Sequence, residues 1–277
     1  MSWCAVDVNS PAGERNAVAA WMVGRTGQAV EERDDGTLVG FTETEGAAAA
    51  LLHELTQAFG SRVAGASRTL PELDWRLRWR DGLVPRRLGR LTVTPTWARD
   101  DSSDAAHTVM IDPETAFGTG EHGSTRTALV LLDRAIQPGD RVLDLGSGSG
   151  ILAIAAARLG AARATGIDLD AEAEPIARAN AERNGVADRV SFLTGDAATL
   201  APLLGPVELL LSNILRSLNE ALLPAVRACL APGGCAIFAG MEAVERDRFL
   251  AALEGAGFTV VDEAADDGWW GVGTRVS

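Results

Sequence analysis

A strand-to-helix junction punctuated by three alternating glycines constrains this chain more than any other feature. Arg141 to Leu145 reads as a short strand, Asp144-Leu-Gly146-Ser-Gly148-Ser-Gly150 as a turn, and the Ala-rich run behind it as a helix to Leu159, stopped at Gly160. Glycine turns tightly and lets a ligand approach the backbone with no Cβ in the way. The spacing narrows what is cradled. The dinucleotide fingerprint is G-x-G-x-x-G; counted from Gly146, its third glycine would fall on Ile151, so the pattern here is G-x-G-x-G. No G-K-[ST] closes the turn, which excludes a nucleotide P-loop.

The surroundings repeat the strand–helix alternation. Arg163 to Ile167, Val190 to Leu193, Val207 to Leu211 and Ala236 to Ala239 read as further strands. Helices are expected over Thr125–Ala135, Ala171–Asn184, Arg216–Leu230 and Glu242–Ala256. This alternation builds an α/β fold, a mostly parallel sheet with helices on both faces. Thr259–Val261 and Val272–Val276 are expected to add an antiparallel edge pair.

Ahead of this lies a different pattern. Trp3–Val8 alternates as a strand, Pro11–Val23 reads as a helix, and Gln28–Glu32 and Thr37–Thr42 flank the turn residues Asp34-Asp35-Gly36. Glu45–Phe59 is an Ala/Leu-rich helix ending at Gly60, with a closing strand near Arg62–Ser67. That order suggests a ferredoxin-like α+β unit. Residues 66–88 read as a linker, Arg-rich, with Trp75 and Trp79 at i,i+4 spacing. A partner-docking hinge is one reading, and a solvated helix whose tryptophans pack on the next domain is the favoured one. The expected organisation is a 1–65 α+β domain, a 66–88 linker and an 89–277 α/β domain.

An Asp two residues ahead of G-x-G-x-G resembles the first motif of class I S-adenosylmethionine-dependent methyltransferases, with their Rossmann-like sheet. Ligands of open parallel sheets bind beyond the carboxyl ends of the strands. Asp168, at the second strand end, can accept both ribose hydroxyls; a helix cap suits Asp170 better. Asp196, after the third strand, reads equally as an adenine contact or a cap. Asn213, in Ser212-Asn213-Ile214-Leu215 after the fourth strand, offers an uncharged acceptor and donor. That suits an amine arriving neutral.

Upstream, Ile111-Asp-Pro-Glu-Thr-Ala-Phe117-Gly-Thr-Gly-Glu121-His122-Gly123-Ser-Thr125 reads as a loop running into a helix. Taken with the motifs at 144–156, 166–170 and 213–215, it closely resembles the PrmA-type ribosomal protein L-eleven methyltransferases over most of residues 70–277. The resemblance implies S-adenosylmethionine as cofactor and N-methylation of Lys or N-terminal amines of a ribosomal protein. It puts cofactor contacts on Phe117, Thr125, Gly146, Gly148, Asp168 and Asn213, with Asn213 also catalytic and Phe117 closing over the cofactor. It also implies a small domain that recognises the ribosomal protein. Two departures stand out. The family often has T-H-P-T-T where this chain has Glu121-His122-Gly123-Ser124-Thr125; the glycine is expected to loosen the loop and Glu121 to add charge beside the site. His122 is a candidate base, with loop fixing the favoured role.

Charge bears on the partner. The formal net charge is −13, and all 25 basic residues are Arg. Residues 101–277 carry 13 Arg against 25 acids, net −12. A surface this acidic would repel a nucleic-acid backbone and suits a basic protein. Apolar stretches such as Val207–Leu211 are far too short for a bilayer, and Met1–Asp7 shows no secretory pattern. Cys4, Cys229 and Cys235 have no metal-ligand spacing. A cytoplasmic monomer without metal is therefore expected. The rivals are an enzyme acting on another protein or a small-molecule amine, with the N-terminal unit as a lid, and a non-enzymatic protein retaining the pocket.

Overall fold

The computed structural model describes residues 3–11, 13–26, 30–33, 35–69, 84–99, 106–112 and 120–276. The chain splits into two units, Met1–Gly82 and Leu83–Ser277.

The small unit runs β1 (Cys4–Asn9), α1 (Arg15–Thr26), β2 (Glu31–Glu32), β3 (Leu38–Thr42), α2 (Glu45–Phe59) and β4 (Ala64–Thr69). Its sheet has the order β2-β3-β1-β4, antiparallel throughout, as the ferredoxin-like reading requires. Alternate residues of β1, namely Cys4, Val6 and Val8, point into a core with Val18, Met22, Leu51 and Leu55 from the two helices. Helix α1 starts four residues later than the sequence suggests. Glu14 N–H donates to Pro11 C=O as a turn, and the first helical bond runs from Val18 N–H to Glu14 C=O. Helix α2 is capped by Thr44, whose hydroxyl accepts the Ala47 amide at 3.1 Å. Strand β4 continues to Thr69, past the domain end expected at 65. Of the stretch read as linker, 70–83 lies outside the described residues, Trp75 and Trp79 included.

The large unit opens with β5 (Arg86–Leu88), β6 (Leu91–Thr94) and β7 (Thr108–Met110), a small separate sheet. Then follow α3 (Gly123–Ala135), β8 (Arg141–Leu145), α4 (Ile151–Arg158), β9 (Arg163–Asp168), α5 (Ala173–Arg183), β10 (Val190–Thr194), α6 (Ala197–Leu204), β11 (Val207–Asn213), α7 (Arg216–Cys229), β12 (Leu230–Glu242), α8 (Arg246–Gly255), β13 (Phe258–Asp266) and β14 (Trp269–Val276). The seven-stranded sheet has the order β10-β9-β8-β11-β12-β14-β13. The first five strands are parallel, and β14 and β13 are antiparallel. The chain reverses its direction of travel across the sheet on either side of β8, the switch point where open α/β sheets bind ligands.

Strand residues alternate between two cores, one on each face. Val142, Leu209 and Leu211 join the core beneath α3 and α4, whereas Leu143, Leu145 and Leu210 join the one beneath α7 and α8. Helix α4 is buried from Ile151 to Ala157, which its Ala-rich sequence permits by letting the helix sit close to the sheet. The closing hairpin is longer than the sequence reading had it. Asp267 and Gly268 both take positive φ, 50° and 78°, in a two-residue turn of the kind that Asp-Gly favours. Strand β14 lies inside the sheet, so of the hairpin's two strands β13 alone is an edge, opposite β10 at the far side.

Candidate functional site

Four parallel strand tips converge at the switch point, and the sequence placed a chemical group on each. After β8, Gly146, Gly148 and Gly150 take left-handed φ values of 73°, 49° and 80°, a path closed to most side chains. The loop is pinned to β9: the Gly146 and Ser147 amides donate to Ile167 C=O at 2.8 and 3.1 Å. Asp168 completes that link. One carboxylate oxygen accepts the Gly148 amide at 2.7 Å and the other accepts the Asp170 amide at 3.0 Å. Asp168 is part-exposed, so each oxygen keeps a lone pair for a ligand.

The carboxylate at the third tip is bonded to its own helix. Asp196 is exposed and caps α6, accepting the Ala198 amide at 3.1 Å and the Thr199 hydroxyl at 2.7 Å. Both bonds hold its pKa below the usual carboxylate range. Of its two sequence readings, the cap is the one these bonds display. Asp170 likewise turns the chain into α5, accepting the Glu172 amide at 2.9 Å.

At the fourth tip Asn213 donates from Nδ2 to the Thr125 hydroxyl at 3.3 Å. Its Oδ1 is buried and has no hydrogen-bond partner among the described residues. A buried carbonyl oxygen left unpaired costs about 1–3 kcal/mol. The loop carrying it is locked from behind by Asn219, which is fully buried. Asn219 Oδ1 accepts the Ser212 hydroxyl at 2.7 Å, and Nδ2 donates to Ile214 C=O and Ala239 C=O, both at 3.0 Å. Ile214 lies against the glycine loop, since a Cβ on Gly146 would fall on its Cγ2. Asn213, Ile214, Gly146, Gly148 and Asp168 thus lie side by side across the strand tips. Thr125 has no exposed area and meets Asn213 through that hydrogen bond. Phe117 lies outside the described residues.

Asp144 is a further site group, which the sequence reading used only as a motif letter. It is wholly buried on the α4 face of β8, where Oδ2 accepts the Ala153 amide at 3.2 Å and Oδ1 has no partner. Burial pushes its pKa up to about 7, the Ala153 amide opposes this, and the Asp168 charge adds to it. A carboxylate amid the apolar letters Val-Leu-Asp-Leu was the available signal.

The entrance to α3 differs from expectation at both departures. Gly123 does not loosen the chain. Trp269 Cδ1 and Asp266 C=O lie 2.6 and 2.8 Å from where its Cβ would be, so this position has no room for a side chain. Trp269 also packs on the His122 ring, centroids 4.2 Å apart. His122 Nδ1 is 2.7 Å from Ser124 Oγ, so its ring is held on two sides. Glu121 adds no bare charge, because Arg86 grips both its oxygens, Nε at 3.0 Å from each and Nη2 at 2.7 Å. Arg126 ties the Glu121 carbonyl to Asp266 on the hairpin tip.

What the arrangement can do follows from these parts. A glycine turn with left-handed backbone and a carboxylate at the tip of the neighbouring strand can seat a nucleoside. The orphan Asn213 oxygen beside it can accept one N–H from an incoming amine. Among the described residues, no group of three or more His, Cys, Asp or Glu gathers as a metal site, and no helix is long and apolar enough to cross a membrane.

Comparison with known proteins bears on the same surface. A family model described as Ribosomal protein L11 methyltransferase (PrmA) matches residues 12–276. The protein named ribosomal protein L11 methyltransferase from Pelotomaculum thermopropionicum is 35% identical over 243 residues, 86% of this chain and 78% of that one. Its namesake from Thermus thermophilus is 42% identical over 196 residues, covering 71% and 75%. A crystal structure of ribosomal protein L11 methylase from Lactobacillus delbrueckii subsp. bulgaricus aligns with a TM-score of 0.63 at 28% identity, over 69% of this chain and 98% of that one.

Proposed function

The chain belongs to the ribosomal protein L11 methyltransferase family and is an S-adenosylmethionine-dependent methyltransferase, and from that premise we propose that it methylates amino groups of ribosomal protein L11 in the cytoplasm, acting as a monomer without binding nucleic acid. The residues fit the cofactor: Gly146 and Gly148 give backbone access, Asp168 accepts the ribose hydroxyls, and Asn213 lines the methyl end. Phe117 is the side chain we assign to closing over it. Bound there, the cofactor supplies an electrophilic methyl group.

The chain's own part is to present a neutral amine. A lysine amine of pKa near 10.4 requires about 4.6 kcal/mol to be neutral at pH 7, and an α-amine near 8 about 1.4 kcal/mol. Asn213 Oδ1 accepts one N–H of the neutral form and aims its lone pair; an ammonium would have no lone pair to offer. Water takes the proton. His122 is held as part of the loop and is not the base. The single observation carrying this reading is the buried, unpartnered Asn213 oxygen beside the glycine turn.

The test is to incubate the full chain with methyl-labelled S-adenosylmethionine and recombinant ribosomal protein L11, then locate the label by mass spectrometry. Label on Lys or N-terminal nitrogen is expected. Label confined to small-molecule amines, or none, would overturn the proposal.

A further inference from the structure

The small unit carries a hollow of about 430 Å³ between the end of α1, the end of β3 and the first half of α2. It exists because α2 presents Ala47 and Ala50 there, too short to fill the space above Leu51. Its size lies within the roughly 300–1,000 Å³ of ligand-sized pockets. Trp3 and Phe41, both part-exposed, contribute aromatic wall, and Glu43 and Glu54 bring carboxylates.

The charges decide what fits. Glu54 faces Arg25 at 3.3 Å, with both side chains about half exposed, so the pair is worth little and exchanges readily. Arg25 is also drawn aside over the Trp21 ring, 5.4 Å from its centroid. Glu43 is exposed and has no ion-pair partner among the described residues. The lining therefore carries one uncompensated negative charge beside aromatic surface. Aromatic faces and a free carboxylate together favour a Lys or Arg side chain, by cation–π attraction and charge pairing. An anion or nucleic-acid phosphate would be repelled.

We propose that this hollow docks a basic side chain of the methyl-accepting protein, on a segment other than the one offering its amine. The inference rests on the protein-methyltransferase reading and deepens it by naming the anchor. It implies that the small unit contributes to affinity for the acceptor and nothing to the chemical step.

The experiment uses the full chain with Glu43→Arg, an exposed change that leaves the core untouched, and Trp3→Ala as a second variant. Each is assayed with recombinant ribosomal protein L11 and with a short peptide carrying only the methylated amine. For Glu43→Arg, KM for the protein should rise about tenfold with kcat unchanged, and Glu43→Gln should fall between. KM and kcat for the peptide should not move, nor should S-adenosylmethionine affinity by calorimetry. Raising the salt concentration should weaken the wild type more than Glu43→Arg. An unchanged protein KM in Glu43→Arg, or an equal rise for peptide and protein, overturns the proposal while leaving the methyltransferase reading standing. A wild-type chain that modifies neither acceptor overturns both.

Discussion

The two units of this protein build their concave surfaces from different materials. At the tips of the large sheet the surface is mostly backbone: glycines at positive φ, amides tied to Ile167 and Asp168, and the locked Ile214 loop. In the small unit the hollow is made of side chains, Trp3, Phe41, Glu43 and Glu54, over a floor of short residues. Backbone held by a switch point is set by the fold and suits a ligand that never varies, such as a cofactor. Side chains on a surface can change singly without disturbing the fold, which suits a partner protein. The contrast predicts that chemistry and recognition respond to different substitutions.

The most severe way to break this comparison is Asn213→Ala. Removing the acceptor for the amine should lower kcat by about 10²–10³, the usual size for a positioned polar group in a reacting site. KM for the acceptor protein should stay within about threefold, because the hollow on the small unit is untouched. Steady-state kinetics decides it. A raised KM with kcat preserved would mean that Asn213 holds the acceptor and takes no part in the reaction.

A paired glycine test sharpens the comparison with a smaller effect. Gly240 takes φ 85°, and a Cβ there would meet the Ile214 backbone, its N and C both at 2.7 Å. Gly60 takes φ 67° and ψ −158° after α2, with nothing within 4 Å. Gly60→Ala should cost about 1–3 kcal/mol of stability through backbone strain alone and leave kcat unchanged. Gly240→Ala carries a similar strain and also pushes the Asn213 loop, so kcat should drop about tenfold as well. Thermal melts and kcat measured on both variants check this. Equal kcat losses would show that strain, and not displacement of the loop, is what counts.

How much of this was legible in the sequence follows the same divide. The parallel sheet and glycine turn could be read because strand period, Ala-rich helices and glycine stops are local. The positions of Asp168 and Asn213 followed, since the ends of parallel strands gather on one edge. Two of the misreadings concern partners distant in the chain. Gly123 reads as a loosened loop until Trp269, 146 residues later, is seen to fill its side-chain space. Glu121 reads as a bare charge until Arg86 is found on it, from a stretch taken for linker. The long hairpin had a local sign, Asp267-Gly268, that was passed over within an acidic run. The hollow on the small unit had no sequence sign, since an absence of bulk at Ala47 and Ala50 matters only once Trp3 and Phe41 stand opposite.

A difference in stability alone, with no change in the chemical step, separates the units by pH. In the small unit Asp35 is held below the usual carboxylate range, chiefly by the Thr37 amide and hydroxyl. A depressed carboxylate adds stability above its unfolded pKa, and that contribution fades as pH falls through the folded value. Asp144 in the large unit acts in the opposite sense. Burial raises its pKa to about 7 from an ordinary 3.8. Between those values the unfolded chain loses the proton while the folded chain keeps it, so Asp144 lowers stability as pH climbs from about 4 to about 7. Above that its effect is constant. At 1.36 kcal/mol per unit the full span is of order 4 kcal/mol as an upper limit. Asp144→Asn removes the titration and keeps an oxygen for the Ala153 amide. The variant should melt close to wild type at pH 4–5 and progressively above it towards pH 7.5, with no cofactor present. Asp35→Asn should show the reverse ordering, at or below wild type near neutrality and converging in acid. Melting curves of the two variants that run parallel to wild type across this range would mean that neither carboxylate titrates as its surroundings dictate.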